Sequence, residues 1–311
     1  MADVRLALVG AGPWGLNIAH AVAAMKGVEL AVVASRNPET AGRLALGTRV
    51  VRDWRDVIDT DIDGVVIATP PASHAEIALA AIEKRRAVLI EKPLTMNVAE
   101  AERFLEAAER TDVLAGVDHV HLFHPAFREL KRRAATMGAV RAIDAVAGGH
   151  GPFRADTPVL WDWGPHDVAM CLAITGRGPV RSDAAIRERR RTPDGAGETV
   201  DIILEFEQGI VANIAVGNIR DDKVRRFRVD FDGGSLIYRD HADMALAFVD
   251  RSGKENPIDV SPEQPLTCVL ADFAGKIAAG VRDRSGLALG VDVVRVLADC
   301  DAAIAGKNPK A

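Results

Sequence analysis

The first fifteen residues already restrict the fold to a narrow class. Residues 4–10, Val-Arg-Leu-Ala-Leu-Val-Gly, are nearly all apolar and run straight into Gly10-Ala11-Gly12-Pro13-Trp14-Gly15. Residues 14–26 then place Leu16, Ile18, Ala19, Val22, Ala23 and Met25 at helical spacing, and Gly27 stops the pattern. A buried strand that enters a glycine-spaced turn and leaves as a helix is the opening of a dinucleotide-binding unit. Gly10 permits the tight turn, Gly12 lets the backbone approach a pyrophosphate, and Gly15 lets helix and strand pack closely. Pro13 and Trp14 start a helix whose N-terminus offers unpaired N–H groups and a partial positive charge to phosphate.

The alternation continues. Strand-like runs at 28–35, 64–69, 87–90 and 113–123 are interleaved with helical patterns at 73–84 and 98–110. Asn37-Pro38 opens a further helix, with Asn as cap and Pro in the first turn. This rhythm predicts a doubly wound parallel sheet with right-handed crossovers. After about residue 120 the rhythm changes. A helix at 126–136 leads to a strand at 140–147, an irregular Gly-rich stretch to 160, and a helix from near Asp162. Alternating runs follow at 183–189, 200–206, 210–216, 225–231 and 236–238. Pro193-Asp194-Gly195, Gln208-Gly209 and Asp232-Gly233-Gly234 supply turns between them. Helices at 266–279 and 291–304 close the chain. The expected fold is α/β in two domains: 1–120, a Rossmann dinucleotide-binding domain, and 121–311, an α+β domain on a mostly antiparallel, open-faced sheet. With 311 residues, 48% of them hydrophobic, the chain has material for both cores.

Chemistry-bearing residues gather at predicted strand ends, the rim where open α/β sheets take ligands. An NAD site usually carries Asp or Glu about 20 residues beyond the last fingerprint glycine. Here that place holds Ser35-Arg36, a hydroxyl and a guanidinium suited to a 2′-phosphate. NADP is therefore expected, with NAD beside a bystander arginine as the alternative. Thr69, Pro70 and His74, after the third strand, are candidates for the nicotinamide side; Ser73 as a helix cap and His74 as a packed ring are equally open. Glu91-Lys92-Pro93 ends the next strand, where an ammonium can bond a carbonyl oxygen or relay a proton. In Trp161-Asp162-Trp163-Gly164-Pro165-His166-Asp167, Asp162 and His166 are four apart and share a helix face. A carboxylate and an imidazole so placed form an acid–base couple. The structural alternative is a helix start with Asp162 as cap, Pro165 in the first turn and His166 packed.

If the sixth strand runs on, His119 and His121 face the same way, as two metal ligands would. No third ligand is apparent, so no metal is expected. Both are read as substrate contacts, with ordinary packing as the alternative; Arg154 and Asp156 are further candidate substrate contacts. The run from Arg187 to Arg191 reads as a solvated hairpin edge. Thirty-nine Lys and Arg against forty-four Asp and Glu give a net charge of −5, which offers no bulk attraction to nucleic acid or anionic lipid. Cys171, Cys268 and Cys300 are too few and scattered for a disulfide framework or a CxxC site. No apolar stretch approaches the ~20 residues of a membrane span, and no signal-peptide core is present. A cytoplasmic setting is expected.

Taken together, the fingerprint at 10–15, Glu91-Lys92-Pro93 and Asp162-x-Gly-x-His166-Asp167 resemble the Gfo/Idh/MocA oxidoreductases over essentially the whole chain. The resemblance implies an NAD(P)-dependent dehydrogenase or reductase acting on a sugar, nucleotide-sugar or cyclitol hydroxyl, with Lys92, Asp162 and His166 as catalytic residues. Cofactor contacts are expected from Gly10, Gly12, Pro13, Trp14, Gly15, Ser35, Arg36, Thr69, Pro70, His74, Glu91 and Lys92. The resemblance also implies a homodimer or homotetramer formed through the open face of the second sheet. Trp14-Gly15-Leu16-Asn17, the segment 118–123 and Trp161-Asp162 are similar to a branch that includes nucleotide-sugar dehydrogenases. Two features depart from the family pattern: Ser35-Arg36 replaces the acidic residue, and His121-Leu122-Phe123-His124-Pro125 replaces an Arg-Phe-type segment. A catalytically silent NADP-binding sensor or scaffold, and an enzyme for a non-sugar substrate such as a dihydrodiol, are the alternatives.

Overall fold

The opening apolar run forms β1 (Val4–Val9), and the glycine turn releases the chain into α1 (Pro13–Ala23). There follow β2 (Val28–Ala34), β3 (Arg49–Val51), α2 (Arg55–Ile58), β4 (Gly64–Ile67), α3 (His74–Glu83), β5 (Ala87–Glu91), α4 (Val98–Thr111) and β6 (Ala115–Asp118). The structure, a computed structural model, describes residues 4–240 and 243–307. Among the described residues these strands make a six-stranded, all-parallel sheet in the order β3-β2-β1-β4-β5-β6. Leu6, Leu8, Val33, Val65, Ile67 and Ile90 are all buried, so the strands read as continuous apolar runs rather than alternating ones. The order reverses beside β1, and the carboxyl edge at that switch point is the predicted ligand rim.

Three local readings need correction. The segment opened by Asn37 is a 3₁₀ turn, Pro38–Arg43, rather than an α-helix. Asn37 does cap it, accepting from the Glu39 N–H, but only Thr40 is buried, so there is no apolar face to hold a longer helix in place. β3 and α2 escape detection because three and four residues carry too little periodicity. The strand expected at 113–123 ends at Asp118 and gives way to a 3₁₀ turn at Val120–Phe123. Its ladder to β5 stops at the pair Glu91–Asp118, because the chain beyond leaves through Pro93, which has no N–H to donate.

The second unit contains α5 (Pro125–Ala134), β7 (Val140–His150), α6 (Val159–Thr175), β8 (Arg181–Thr192), β9 (Gly195–Glu205), β10 (Val211–Gly217), β11 (Ile219–Phe231), β12 (Gly234–Arg239), β13 (Leu246–Val249) and β14 (Glu255–Pro257). Among the described residues they form an eight-stranded sheet, β14-β13-β12-β11-β7-β10-β9-β8, antiparallel except for the β7–β10 pair. Alternation is clear on β9. Val200, Ile202 and Leu204 are buried, while Ile203 on the opposite face is 41% exposed. α6 packs on the buried face over β7, β9 and β10.

The closing helices are α7 (Pro265–Ala278) and α8 (Ser285–Lys307). The units part at Val120, but Gln264–Val294 belongs to the first, and the residues from Arg295 onward belong to the second. The expected single division, 1–120 and 121–311, therefore omits α7 and the first half of α8 from the first unit. Phe273 and Ile277 fill the space that Gly64 leaves at the start of β4. Such long-range complementarity has no local period to announce it.

Candidate active site

The first unit builds a phosphate cradle. Gly10 holds φ +99°, and a Cβ there would collide with the Ala68 carbonyl. A Cβ on Gly15 would run into the Gly10 carbonyl oxygen. Gly12 differs: nothing lies within 4 Å of where its Cβ would be, so the backbone at the start of α1 faces open space. That combination fits a dinucleotide pyrophosphate, which needs bare backbone and a helix N-terminus. At the end of β2, the Ser35 hydroxyl lies 2.7 Å from that of Thr40 and accepts from the Asn37 N–H at 3.2 Å, so it braces the loop. Arg36 is exposed and forms no ion pair with any described residue.

The Thr69 and Glu-Lys-Pro loops are tied together by His74. Its Nε2 lies 2.8 Å from the Thr69 carbonyl oxygen, and its Nδ1 lies 3.1 and 3.2 Å from those of Pro93 and Leu94. The ring is fully buried, and burial pushes its pKa down against those bonds. His74 is thus a brace between loops, with no surface left for a cofactor, contrary to the expectation above. Ser73 does not cap α3; its hydroxyl donates to Thr69 Oγ1 at 2.8 Å and the Pro70 carbonyl at 2.9 Å. Thr69 is half-buried and Pro70 exposed at the strand end.

Beside Lys92 stands a pairing that the sequence motifs did not foresee, although both of its members lie in them. Glu91 and Asp118 are register partners on β5 and β6, both buried, and the Trp14 indole N–H donates to Glu91. Burial raises both carboxyls; Asp118 is pushed well above the usual range, since the Glu91 charge adds to burial. Lys92, half-buried and bonded through its N–H to Glu91 Oε2 at 3.3 Å, opposes both shifts with its charge. Burial and the Glu91 charge thus both favour the protonated form of Asp118, whose buried carboxyl oxygens have no hydrogen-bond partner among the described residues. Carboxylates ending adjacent parallel strands were the available signal. His119, 2% exposed, is pushed down to about 3 by burial and the Lys92 charge, so its ring is neutral.

The second unit presents the other couple. α6 starts at Val159 after Pro158, so Asp162 sits inside the first turn instead of capping, and Pro165 lies within the helix. Asp162 and His166 are 8% and 9% exposed on one helix face. Arg154 Nε reaches Asp162 Oδ2 at 3.4 Å. The His121 ring meets that of His166 edge-on with centroids 4.7 Å apart, and its Nδ1 lies 2.9 Å from the Tyr238 hydroxyl. Burial pushes the Tyr238 phenol up, so it keeps its proton. Next to His166, Asp167 forms a buried ion pair with Arg225 at 2.6 Å; burial still raises its carboxyl. Asp156 is exposed and accepts from the neighbouring Thr157 hydroxyl at 3.3 Å.

His119 and His121 do not share a strand face: the first follows β6, and the second lies in the 3₁₀ turn and belongs to the other unit. The two-ligand geometry considered above is therefore not formed. Among the described residues no group of three or more His, Cys, Asp or Glu is arranged to hold a metal ion, and no helix is long and apolar enough to cross a membrane.

Residues 4–119 match an oxidoreductase family with an NAD-binding Rossmann fold, and residues 128–237 match the GFO/IDH/MocA C-terminal domain. An oxidoreductase of known structure from Magnetospirillum magnetotacticum MS-1 is 39% identical with a TM-score of 0.89, covering 96% of this chain and 99% of that one. A UDP-N-acetylglucosamine 3-dehydrogenase from Acidithiobacillus ferrooxidans is 28% identical over 94% of this chain and 97% of its own length. Its solved structure gives a TM-score of 0.85, covering 97% of this chain and 98% of that one. An inositol 2-dehydrogenase from Mycolicibacterium gilvum is 39% identical over 115 residues, 35% of this chain and 32% of that protein.

Proposed function

The chain belongs to the Gfo/Idh/MocA oxidoreductase family, and we propose that it is an NAD(P)-dependent dehydrogenase or reductase of a carbohydrate CH–OH group, with Lys92, Asp162 and His166 as its catalytic residues. The observation that carries this reading is α6, which places Asp162 and His166, each about nine-tenths buried, on one face. The same chain sets a lysine after a strand beside the Gly12 cradle.

A nicotinamide dinucleotide held at the Gly10–Gly15 turn would supply hydride-transfer chemistry at this site. In the oxidative direction His166 accepts the hydroxyl proton, its ring held edge-on by His121, which Tyr238 fixes in turn. The Lys92 ammonium stabilises the developing alkoxide, with Glu91 and Asp118 behind it to hold a proton. Asp162, oriented by Arg154, accepts from a neighbouring substrate hydroxyl and fixes the sugar. NADP is the favoured cofactor because Arg36 is free of ion pairs among the described residues and follows the second strand. Association of copies through the open face of the second sheet and a cytoplasmic setting complete the proposal. That face offers Ile203 among charged pairs such as Arg226–Asp144.

An absorbance screen at 340 nm over sugars, cyclitols and nucleotide sugars tests the activity. With a substrate in hand, Lys92→Met is expected to bind cofactor normally while kcat falls by about 10²–10⁴. Near-normal turnover would remove the lysine from the mechanism. Tight cofactor binding with silence over the whole screen would favour the sensor reading.

A further inference from the structure

Four arginines gather around one cavity of the second unit. Arg154, Arg189, Arg190 and Arg191 line a space of about 350 Å³ that Asp162 and Asn218 also border. As a solvated hairpin edge, the run from Arg187 to Arg191 would need no such convergence.

Their charges are unevenly compensated. Along β8 each arginine finds an acid until the last: Arg187 pairs with Asp201, Arg189 with Glu198 at 2.8 Å, and Arg190 with Glu188 at 2.8 Å. Arg154 is held by Asp162 at 3.4 Å. The cross-strand partner of Arg191 is Ala196, beside Gly197, so no carboxylate stands directly opposite it; its side chain is exposed at the rim of the cavity, which Glu198, the partner of Arg189, also lines. Arg191 makes no ion pair with any described residue.

The cavity is also built rather than incidental. Asn218, 3% exposed, donates its Nδ2 to the Pro152 carbonyl at 3.1 Å and accepts on Oδ1 from the Glu198 N–H at 2.9 Å. It therefore clamps the loop carrying Arg154 to the strand facing Arg191. Phe153 lies where side chains at Gly195 and Gly197 would stand, so the hairpin tip and that loop fit only because both are glycine.

We infer that this cavity is an anion subsite for a phosphate, diphosphate or carboxylate carried by the substrate, with Arg191 its principal contact. A guanidinium forms two parallel N–H bonds to such a group, and one with no acid to satisfy is ready to do so. Because Asp162 borders the same cavity, the bound anion would hold the sugar against that residue and select charged carbohydrates over neutral ones. This deepens the function proposed above and rests on it for the role of Asp162.

Titrating the cofactor-saturated protein with inorganic pyrophosphate, and separately with glucuronate, tests the site without needing turnover. Arg191→Gln should weaken binding of at least one of them by about 10–100-fold relative to the unaltered protein. Arg177→Gln, which removes an equal charge from the remote Arg177–Glu207 pair, should not. Loss with pyrophosphate alone points to a phosphorylated sugar or nucleotide sugar, and loss with glucuronate alone to a sugar acid. Equal binding by Arg191→Gln and the unaltered protein, or an equal loss in Arg177→Gln, overturns the subsite. Kinetics supply the second arm: Arg191→Gln should lower the ratio of kcat/KM for a charged sugar over its neutral parent tenfold or more, and an unchanged ratio overturns the inference. If no carbohydrate is oxidised, the proposed reaction fails while the titration still decides the anion site.

Discussion

Gly12 and Gly15 are three positions apart and serve opposite ends. Gly12 faces open space, so Gly12→Ala should cost less than about 0.5 kcal/mol of stability while weakening cofactor binding tenfold or more. Gly15 meets the Gly10 carbonyl, so Gly15→Ala should destabilise the fold itself by roughly 1–3 kcal/mol. Thermal melts paired with cofactor titrations separate the two, and equal behaviour of the variants would contradict the assignment. Arg36→Ala should reduce NADP affinity about tenfold and leave NAD affinity within about twofold; equal losses would make Arg36 a bystander. The glycines were readable from spacing alone, because each answers to a local geometric demand. The role of His74 was not, since two of its three carbonyl neighbours, those of Pro93 and Leu94, come from a different loop beyond α3 and β5.

At the scale of elements, α6 is the piece on which most depends, and its anchor is the Asp167–Arg225 pair from helix to β11. Arg225→Met leaves a buried carboxylate alone and should cost about 3–5 kcal/mol at pH 8. Burial already raises Asp167 above its unfolded value, so folding takes up a proton there. Losing Arg225 raises it further, so the cost should shrink as pH falls toward the usual aspartate range. Urea melts at pH 8 and pH 5 measure this, and a cost independent of pH would refute it. The i,i+4 relation of Asp162 and His166 was legible before any coordinates, being a property of one helix. The end of β6 was not: apolar character continues through 120–123, but the ladder stops where β5 meets Pro93, and a partner's proline is invisible to a strand's own sequence. The hairpin arginines illustrate the same limit, because their pairing depends on register with β9.

Across the whole molecule, both sheets and their order of appearance could be read from strand–helix rhythm and turn residues, whereas the return of Gln264–Val294 to the first unit could not. Acid response is a property at this scale too. Asp118 is raised well above its unfolded value, so it penalises the folded state above the normal aspartate range and the penalty fades as pH falls. Asp118→Asn should raise Tm at pH 8, with the gain gone by about pH 4; an unchanged Tm at pH 8 would mean that the pair is not strained by charge. The indole N–H that joins Trp14 to Glu91 has a practical consequence. A laboratory that transplants a foreign glycine turn into this chain to change its redox partner would also cut a tether to the strand bearing the lysine. Keeping tryptophan at that one position is the condition for such a graft to alter preference without slowing turnover.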